Sequence, residues 1–208
     1  MTTNIELIEG LIKDGYLKSP AVIEAFKVID RKNFLPEEVH NEAYENIALS
    51  IGYKQTISQP LVVAFMLELL ELKAGDKVLE IGSGSGWKTG LISQIIGTDG
   101  TLISIERIPE LKEFAEQNLK QYGVLDQPQR TLIVGDGSKG YLEAAPFDKI
   151  TAAASAQELP EAWKDQLKIG GKIVAPVKDT IIVLEKVAKD KFITKEYLGY
   201  NFVPLIRE

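Results

Sequence analysis

From residue 77 onward, short runs of β-branched and aliphatic residues alternate with amphipathic stretches, and this alternation predicts a parallel sheet layered between helices. Strands are expected at 77–81, 101–106, 131–134, 148–153 and 171–177, with helices at 86–96, 109–122 and 160–168. Two more β-rich segments, 180–187 and 192–205, follow without an intervening helix and are expected as antiparallel additions at the sheet edge. Upstream, residues 4–16 (Ile5, Ile8, Leu11, Ile12) and 20–29 (Val22, Ala25, Phe26, Ile29) carry apolar residues at helical spacing. A looped segment over 31–51 follows, and an apolar helix over 61–72 leads into the first strand. The expected fold is α/β: a Rossmann-like, doubly wound, mainly parallel sheet with antiparallel C-terminal strands and an N-terminal helical extension. No repeat or linker divides the chain, so one domain is expected over 1–208, with 1–60 as extension and 61–208 as cofactor-binding core.

The strand at 77–81 runs into the glycine-rich stretch Val78-Leu79-Glu80-Ile81-Gly82-Ser83-Gly84-Ser85-Gly86-Trp87. Glycines at a strand-to-helix turn let the backbone approach a ligand closely, and the following helix offers unpaired N–H groups and a positive dipole end. The loop suits a nucleoside-like cofactor. A dinucleotide loop reads G-x-G-x-x-G/A, which would place its third small residue at Trp87, where an indole obstructs helix–strand packing. A dehydrogenase is thereby disfavoured. The spacing E-x-G-x-G-x-G instead resembles motif I of class I S-adenosylmethionine-dependent methyltransferases.

Two carboxylates stand at the tips of the next strands. Glu106 ends the strand at 101–106, about twenty residues past the loop, where an acidic side chain can accept the ribose hydroxyls of an adenosine. The strand at 131–134 ends in Gly135-Asp136-Gly137, a carboxylate and a turn beside the adenine. Taken singly, Glu106 reads as a solvated strand end and Asp136 as an ordinary turn. Strand tips of successive β-α units line up along one sheet edge, so the three features converge on one crevice.

Composition narrows the chemistry. Of 208 residues, 45% are hydrophobic, enough to fill a sizeable core. With no cysteine there is no disulfide framework, thiol nucleophile or cysteine metal site, and a single histidine, His40, leaves no His-rich metal site. His40 lies in a polar run and reads as a surface residue. The start of the chain lacks the basic and apolar regions of a signal peptide, and no apolar run approaches the roughly 18 residues of a membrane span. A soluble, cytoplasmic protein is expected, without membrane association. A net charge of −6 argues against nucleic acid as a partner, since such binding draws on Lys and Arg to neutralise phosphates. The most basic stretch, 186–195, is interrupted by apolar residues and Asp190 and reads as a strand face or hairpin.

Upstream of the glycine loop lies Ile51-Gly52-Tyr53-Lys54-Gln55-Thr56-Ile57-Ser58-Gln59-Pro60. In isolation, Ser58 or Gln59 before Pro60 reads as a helix cap. A cap needs only a hydroxyl and the proline, however, and here a polar Gln-Thr-x-Ser group sits in a loop beside Gly52. This run, with the glycine loop, Glu106-Arg107, Gly135-Asp136-Gly137-Ser138, Ala145-Pro146-Phe147-Asp148 and the closing Phe202-Val203-Pro204-Leu205, closely resembles the protein-L-isoaspartate O-methyltransferase family. Arg31-Lys32-Asn33-Phe34-Leu35-Pro36 and Ala43-Tyr44-Glu45-Asn46 resemble that family's N-terminal region, so the likeness runs from about residue 20 to the end.

The resemblance implies methyl transfer from S-adenosyl-L-methionine, leaving S-adenosyl-L-homocysteine, to the free carboxylate of L-isoaspartyl residues in damaged proteins and peptides, a step that initiates their repair. Such a carboxylate, with a pKa near roughly 3.9, is ionised at neutral pH and needs no general base. By the same resemblance Ser58 is the catalytic serine that orients the carboxylate, while Gln55, Thr56 and Ile57 form a lid over the cofactor. Gly82, Ser83 and Gly84 approach the methionyl part, and Glu80 holds its amino group directly or through water. Glu106 binds ribose, Arg107 flanks the adenosine, and Asp136 with Gly137 contacts adenine. Residues 152–156 and 200–205 border the peptide groove. Isoaspartyl proteins and peptides are the expected partners, with a monomer as the favoured state. Two positions depart from the family pattern, Ser155 where proline is usual and Lys88 where glutamine is frequent. Competing readings are a class I methyltransferase for another acceptor and a non-catalytic S-adenosylmethionine-binding module.

Overall fold

The computed structural model describes residues 2–207. The chain begins with α1 (Asn4–Lys13), whose start is set by a capping box in which Thr3 and Glu6 satisfy each other's backbone N–H. There follow α2 (Pro20–Val28), a small hairpin of β1 (Leu49–Gly52) and β2 (Gln55–Ile57), and α3 (Pro60–Leu70). The alternating part then runs β3 (Lys77–Ile81), α4 (Trp87–Ile96), β4 (Thr101–Glu106), α5 (Pro109–Lys120), β5 (Arg130–Val134), β6 (Phe147–Ala152), α6 (Glu161–Asp165) and β7 (Leu167–Val177). Two last strands, β8 (Thr180–Ala188) and β9 (Lys191–Leu198), close the chain.

The main sheet has seven strands in the order β5-β4-β3-β6-β7-β8-β9. Strands β3 to β7 pair in parallel, whereas β7–β8 and β8–β9 are antiparallel. The doubly wound arrangement with an antiparallel C-terminal edge is therefore present, and the basic stretch over 186–195 is the β8–β9 hairpin.

Because strand side chains alternate between faces, one strand feeds two cores. Val78 and Leu102 join a cluster with α1, α2, α4 and α5, while Leu79, Ile81, Ile103 and Ile105 join Phe147, Ile150 and Trp163 on the opposite face. The first of these clusters runs continuously from Leu7 of the extension into the sheet. Trp87 explains how the extension is held. It is 3% exposed, stands edge-on to Phe26 with ring centroids 5.4 Å apart, and donates its Nε1–H to the carbonyl of Ile29 at 3.2 Å. The indole thus leaves the sheet and docks α2 onto α4.

Three segments and one residue differ most from the expectation. The segment taken as loop over 31–51 contains short 3₁₀ turns and ends in β1. The helix expected over 160–168 spans only Glu161–Asp165, because Leu167 already pairs with Phe147 of β6. The strand expected over 192–205 stops at Leu198, where Gly199 turns to a φ of 95°, and only an isolated bridge between Ser155 and Pro204 follows. His40 is half-buried rather than on the surface, its Nε2 lying 3.0 Å from the carbonyl oxygen of Leu35.

Candidate active site

The glycine loop leaves β3 at the centre of the sheet, flanked by the tips of β4 and β6. Gly86 is its tightest point. It caps α4 at a φ of 92° with no side-chain cap, and a Cβ there would lie 3.2–3.3 Å from Ala115 of α5. Only glycine meets both conditions without strain, and it leaves the first N–H groups of α4 without a side-chain cap at the mouth of a cleft. That cleft has a volume of about 430 Å³, within the range of small-molecule sites.

Its polar walls come from four parts of the chain. The hairpin contributes Gln55, Thr56 and Ile57, with Ser58 just beyond it; the loop contributes Gly82, Ser83 and Gly84. The tip of β4 contributes Glu106 and Arg107, and the turn after β5 contributes Gly137. Apolar side chains of Ile81, Ile105 and Leu111 line the interior, and residues 203–206 form the far rim.

Two of the expected residues stand behind this lining. Glu80 is fully buried under the loop, where its Oε2 accepts hydrogen bonds from Thr89 Oγ1 at 2.7 Å and Ser104 Oγ at 2.8 Å. Burial pushes its carboxyl above the usual range, opposed chiefly by Lys88, whose Nζ lies 3.7 Å from Oε1. Asp136 accepts from the backbone N–H of Ser138 at 2.9 Å and pairs with Lys139 at 3.4 Å, shaping the turn that brings Gly137 to the cleft.

Glu106 is prepared for ligand rather than consumed by structure. Its two oxygens accept the backbone N–H groups of Gly84 at 2.9 Å and Ile108 at 3.0 Å, which fixes the carboxylate against the loop. Each oxygen retains a further lone pair for a donor in the cleft.

Ser58 shows which of its two readings the geometry favours. The N-terminus of α3 is capped from outside: Asn46 Oδ1 accepts the N–H of Leu61 at 3.0 Å, and Gln59 Nε2 donates to the carbonyl of Asn46 at 2.8 Å. No side chain of the Ser58–Gln59 pair caps the helix, and Ser58 is left on the cleft wall. Its backbone is held by Arg31, a 1%-exposed guanidinium. Nη1 of Arg31 donates to the carbonyls of Ala43 at 2.7 Å and Glu45 at 3.3 Å, and Nη2 to those of Ile47 at 2.8 Å and Ser58 at 3.2 Å. Burial pulls its pKa down to about 10, which still leaves it charged at neutral pH.

Several cleft residues had no role in the sequence reading. Tyr53 and Lys54 form the hairpin tip and line the cleft, both at positive φ (52° and 57°), without the Asn-Gly that usually announces such a turn. Lys88 lines the floor although its position in an apolar helix gave no reason to place it there. Arg31 and Asn46 entered only as part of a likeness, since a buried network is invisible to periodicity.

The cleft also accommodates the implied cofactor. Three buried polar atoms under and beside the glycine loop, Glu80 Oε1, Ser83 Oγ and Lys88 Nζ, have no hydrogen-bond partner among the described residues, and they supply one acceptor and two donors for the polar end of an amino acid. The apolar interior suits an adenosine and thioether.

Comparison with known proteins follows the same line. The family model described as protein-L-isoaspartate(D-aspartate) O-methyltransferase matches residues 2–208. A protein-L-isoaspartate O-methyltransferase of Ignicoccus hospitalis is 47% identical over 207 residues, 98% of this chain and 97% of the relative. One of Methanococcus aeolicus is 46% identical, covering 96% of this chain and 92% of the relative. A structure described as a protein-L-isoaspartate O-methyltransferase of Plasmodium falciparum, with S-adenosyl-L-homocysteine bound, shares the fold with a TM-score of 0.91 at 24% identity, covering all of both chains. The chain belongs to the protein-L-isoaspartate(D-aspartate) O-methyltransferase family.

Proposed function

We propose that the protein methylates the free carboxylate of L-isoaspartyl residues in proteins and peptides, using S-adenosyl-L-methionine as donor. Membership of the family supports the reaction, and one structural observation supports the assignment within this chain: Ser58 lies on the cleft wall while Asn46 performs the capping that would otherwise occupy it.

When bound, S-adenosyl-L-methionine supplies an electrophilic methyl group on a sulfonium. The chain's own task is to hold and orient. An isoaspartyl carboxylate is already ionised, so the absence of a histidine from the cleft lining is no obstacle. Ser58 donates its hydroxyl to one carboxylate oxygen and fixes the other toward the donor, while the Arg31 bond to its carbonyl keeps that rim in place. Orientation of this kind can contribute roughly 7–11 kcal/mol in favourable cases. Gln55, Thr56 and Ile57 cover the site and exclude water. Glu106 accepts the ribose hydroxyls, Arg107 flanks the adenosine and Gly137 lies against adenine, with Asp136 supporting its turn. Gly82, Ser83 and Gly84 cradle the methionyl end above Glu80, which holds its ammonium.

The test uses radiolabelled S-adenosyl-L-methionine and two peptides that differ only in L-isoaspartate versus L-aspartate. Label should pass to the isoaspartyl peptide. Equal labelling of the pair, or none on either, would overturn the reading.

A further inference from the structure

Lys88 is an anomaly in this fold. It sits in the first turn of α4, where the helix dipole disfavours a cation, and it is 9% exposed. Among the described residues its Nζ has no hydrogen bond, and its ion-pair partner, Glu80 Oε1, is 3.7 Å away, too far for a direct hydrogen bond. A buried ammonium in that position is destabilising unless something else completes its shell. Burial accordingly pulls the Lys88 pKa down, with Glu80 opposing the shift.

The surroundings specify what is missing. Lys88 and Ser83 both line the cleft, and both carry buried donors without partners; Glu80 Oε1 is a buried acceptor without one. Lys88 supplies up to three N–H donors and no acceptor, so its partner is an anion or a strong acceptor. The complementary group has a carboxylate next to an ammonium, which is the α-amino-acid end of the cofactor.

We propose that Lys88 is a specificity residue that binds the α-carboxylate of the cofactor's methionyl end, with Ser83 as a second donor, and that it selects zwitterionic cofactors over those lacking this carboxylate. The inference rests on the cofactor assigned above and deepens it. No water-filled alternative predicts the same selectivity, because a water bridging Lys88 to Glu80 would serve either ligand equally.

The test measures binding, not turnover. Calorimetric titration of the full chain with S-adenosyl-L-homocysteine and with the same thioether lacking the α-carboxylate should show at least a tenfold preference for the former. Lys88→Met should weaken S-adenosyl-L-homocysteine about tenfold or more, leave the decarboxylated compound within about threefold, and so erase the preference; Lys88→Gln, which keeps an N–H donor, should fall between. A wild-type preference below threefold overturns the proposal without any variant, as does equal weakening of both compounds by Lys88→Met. If wild type binds neither compound, the cofactor reading itself fails, whereas binding with a preference retained in both variants removes Lys88 alone.

Discussion

Arg31 offers the most direct test of how the acceptor side of the cleft is built. Its guanidinium is buried, has four backbone carbonyls as partners, and lies with Cζ 5.4 Å from the centre of the Trp87 ring. Replacing it by methionine keeps much of the apolar bulk and removes every donor. Hydrogen bonds to a charged group contribute about 1.5–3 kcal/mol each, so a simple sum over four would reach about 6–12 kcal/mol. That sum is too large, since the variant also no longer buries a cation. Four carbonyls left without their donor, offset by the relief of burying a cation, give about 3–5 kcal/mol as the expected loss for Arg31→Met. With a urea dependence of about 2–3 kcal/mol per molar, the unfolding midpoint should fall by about 1–2.5 M. Arg31→Lys keeps the charge but has no planar fork to span carbonyls from residue 43 to residue 58, and should fall between. Turnover should drop about tenfold to a hundredfold in whatever remains folded, because Ser58 loses the bond that holds its backbone, and misplacement of that order has such an effect. Affinity for S-adenosyl-L-homocysteine should change much less. A midpoint within about 0.3 M of the parent, with unchanged turnover, would show that the carbonyl cluster is not held by Arg31.

Three more outcomes are expected. Ser58→Ala should reduce the rate on an isoaspartyl peptide by about a hundredfold while leaving cofactor affinity by calorimetry unchanged; an unaltered rate removes the hydroxyl from the mechanism. Gly86→Ala imposes a left-handed residue, about 1–2 kcal/mol, and crowds Ala115, so a loss of about 2–3 kcal/mol should lower the melting temperature by about 4–12 °C. Tyr44 donates to both oxygens of Asp30 at 3.0 Å, and burial together with that carboxylate raises its pKa to about 12. The folded state therefore retains a proton that the unfolded chain releases near pH 10, so stability falls as pH rises from about 10 to about 12. Tyr44→Phe should flatten that limb in urea midpoints measured at pH 9 and pH 11, and an unchanged slope would refute the assignment.

The glycine-loop half of the cleft was readable from the chain because it is made of backbone. Alternating glycines after a buried strand have few physical meanings, and Glu106 and the Gly135–Gly137 turn fall at the tips where a parallel sheet must bring them. Trp87 led to the right exclusion by an incomplete route: no indole crowds the sheet, since the ring turns away to dock α2. The hairpin half was less readable. Tyr53-Lys54 adopts a turn normally signalled by Asn-Gly, so the β1–β2 hairpin was hidden in a loop. Asn46 caps a helix that starts 14 residues later, a relation that no local cap pattern contains. Glu80 was legible as a carboxylate at the end of the strand before the glycine loop, but not that Thr89 and Ser104 would occupy one of its oxygens.

The buried cations of the fold sharpen the distinction between structural and ligand-binding roles. Arg31 gives both terminal nitrogens to loop carbonyls, while its Nε has no hydrogen bond among the described residues. Arg130 closes the far end of α4, donating to Ser93 Oγ at 2.7 Å and to the carbonyls of Gly97 and Gly100 at 2.5 Å each, where the helix dipole favours positive charge. Both arginines direct most of their donors to protein oxygen. Lys88 lies at the opposite end of that same helix, against the dipole and without a hydrogen bond. A cation tied to several protein oxygens from different segments stabilises the fold, and substituting it should be felt in stability first. A cation whose environment is incomplete raises the energy of the ligand-free protein and returns that energy on binding, so substituting Lys88 should be felt in affinity first. The two ends of α4 therefore perform different work with the same charge: one ties the helix to the sheet, and the other, on the proposal above, meets the cofactor's carboxylate at the cleft.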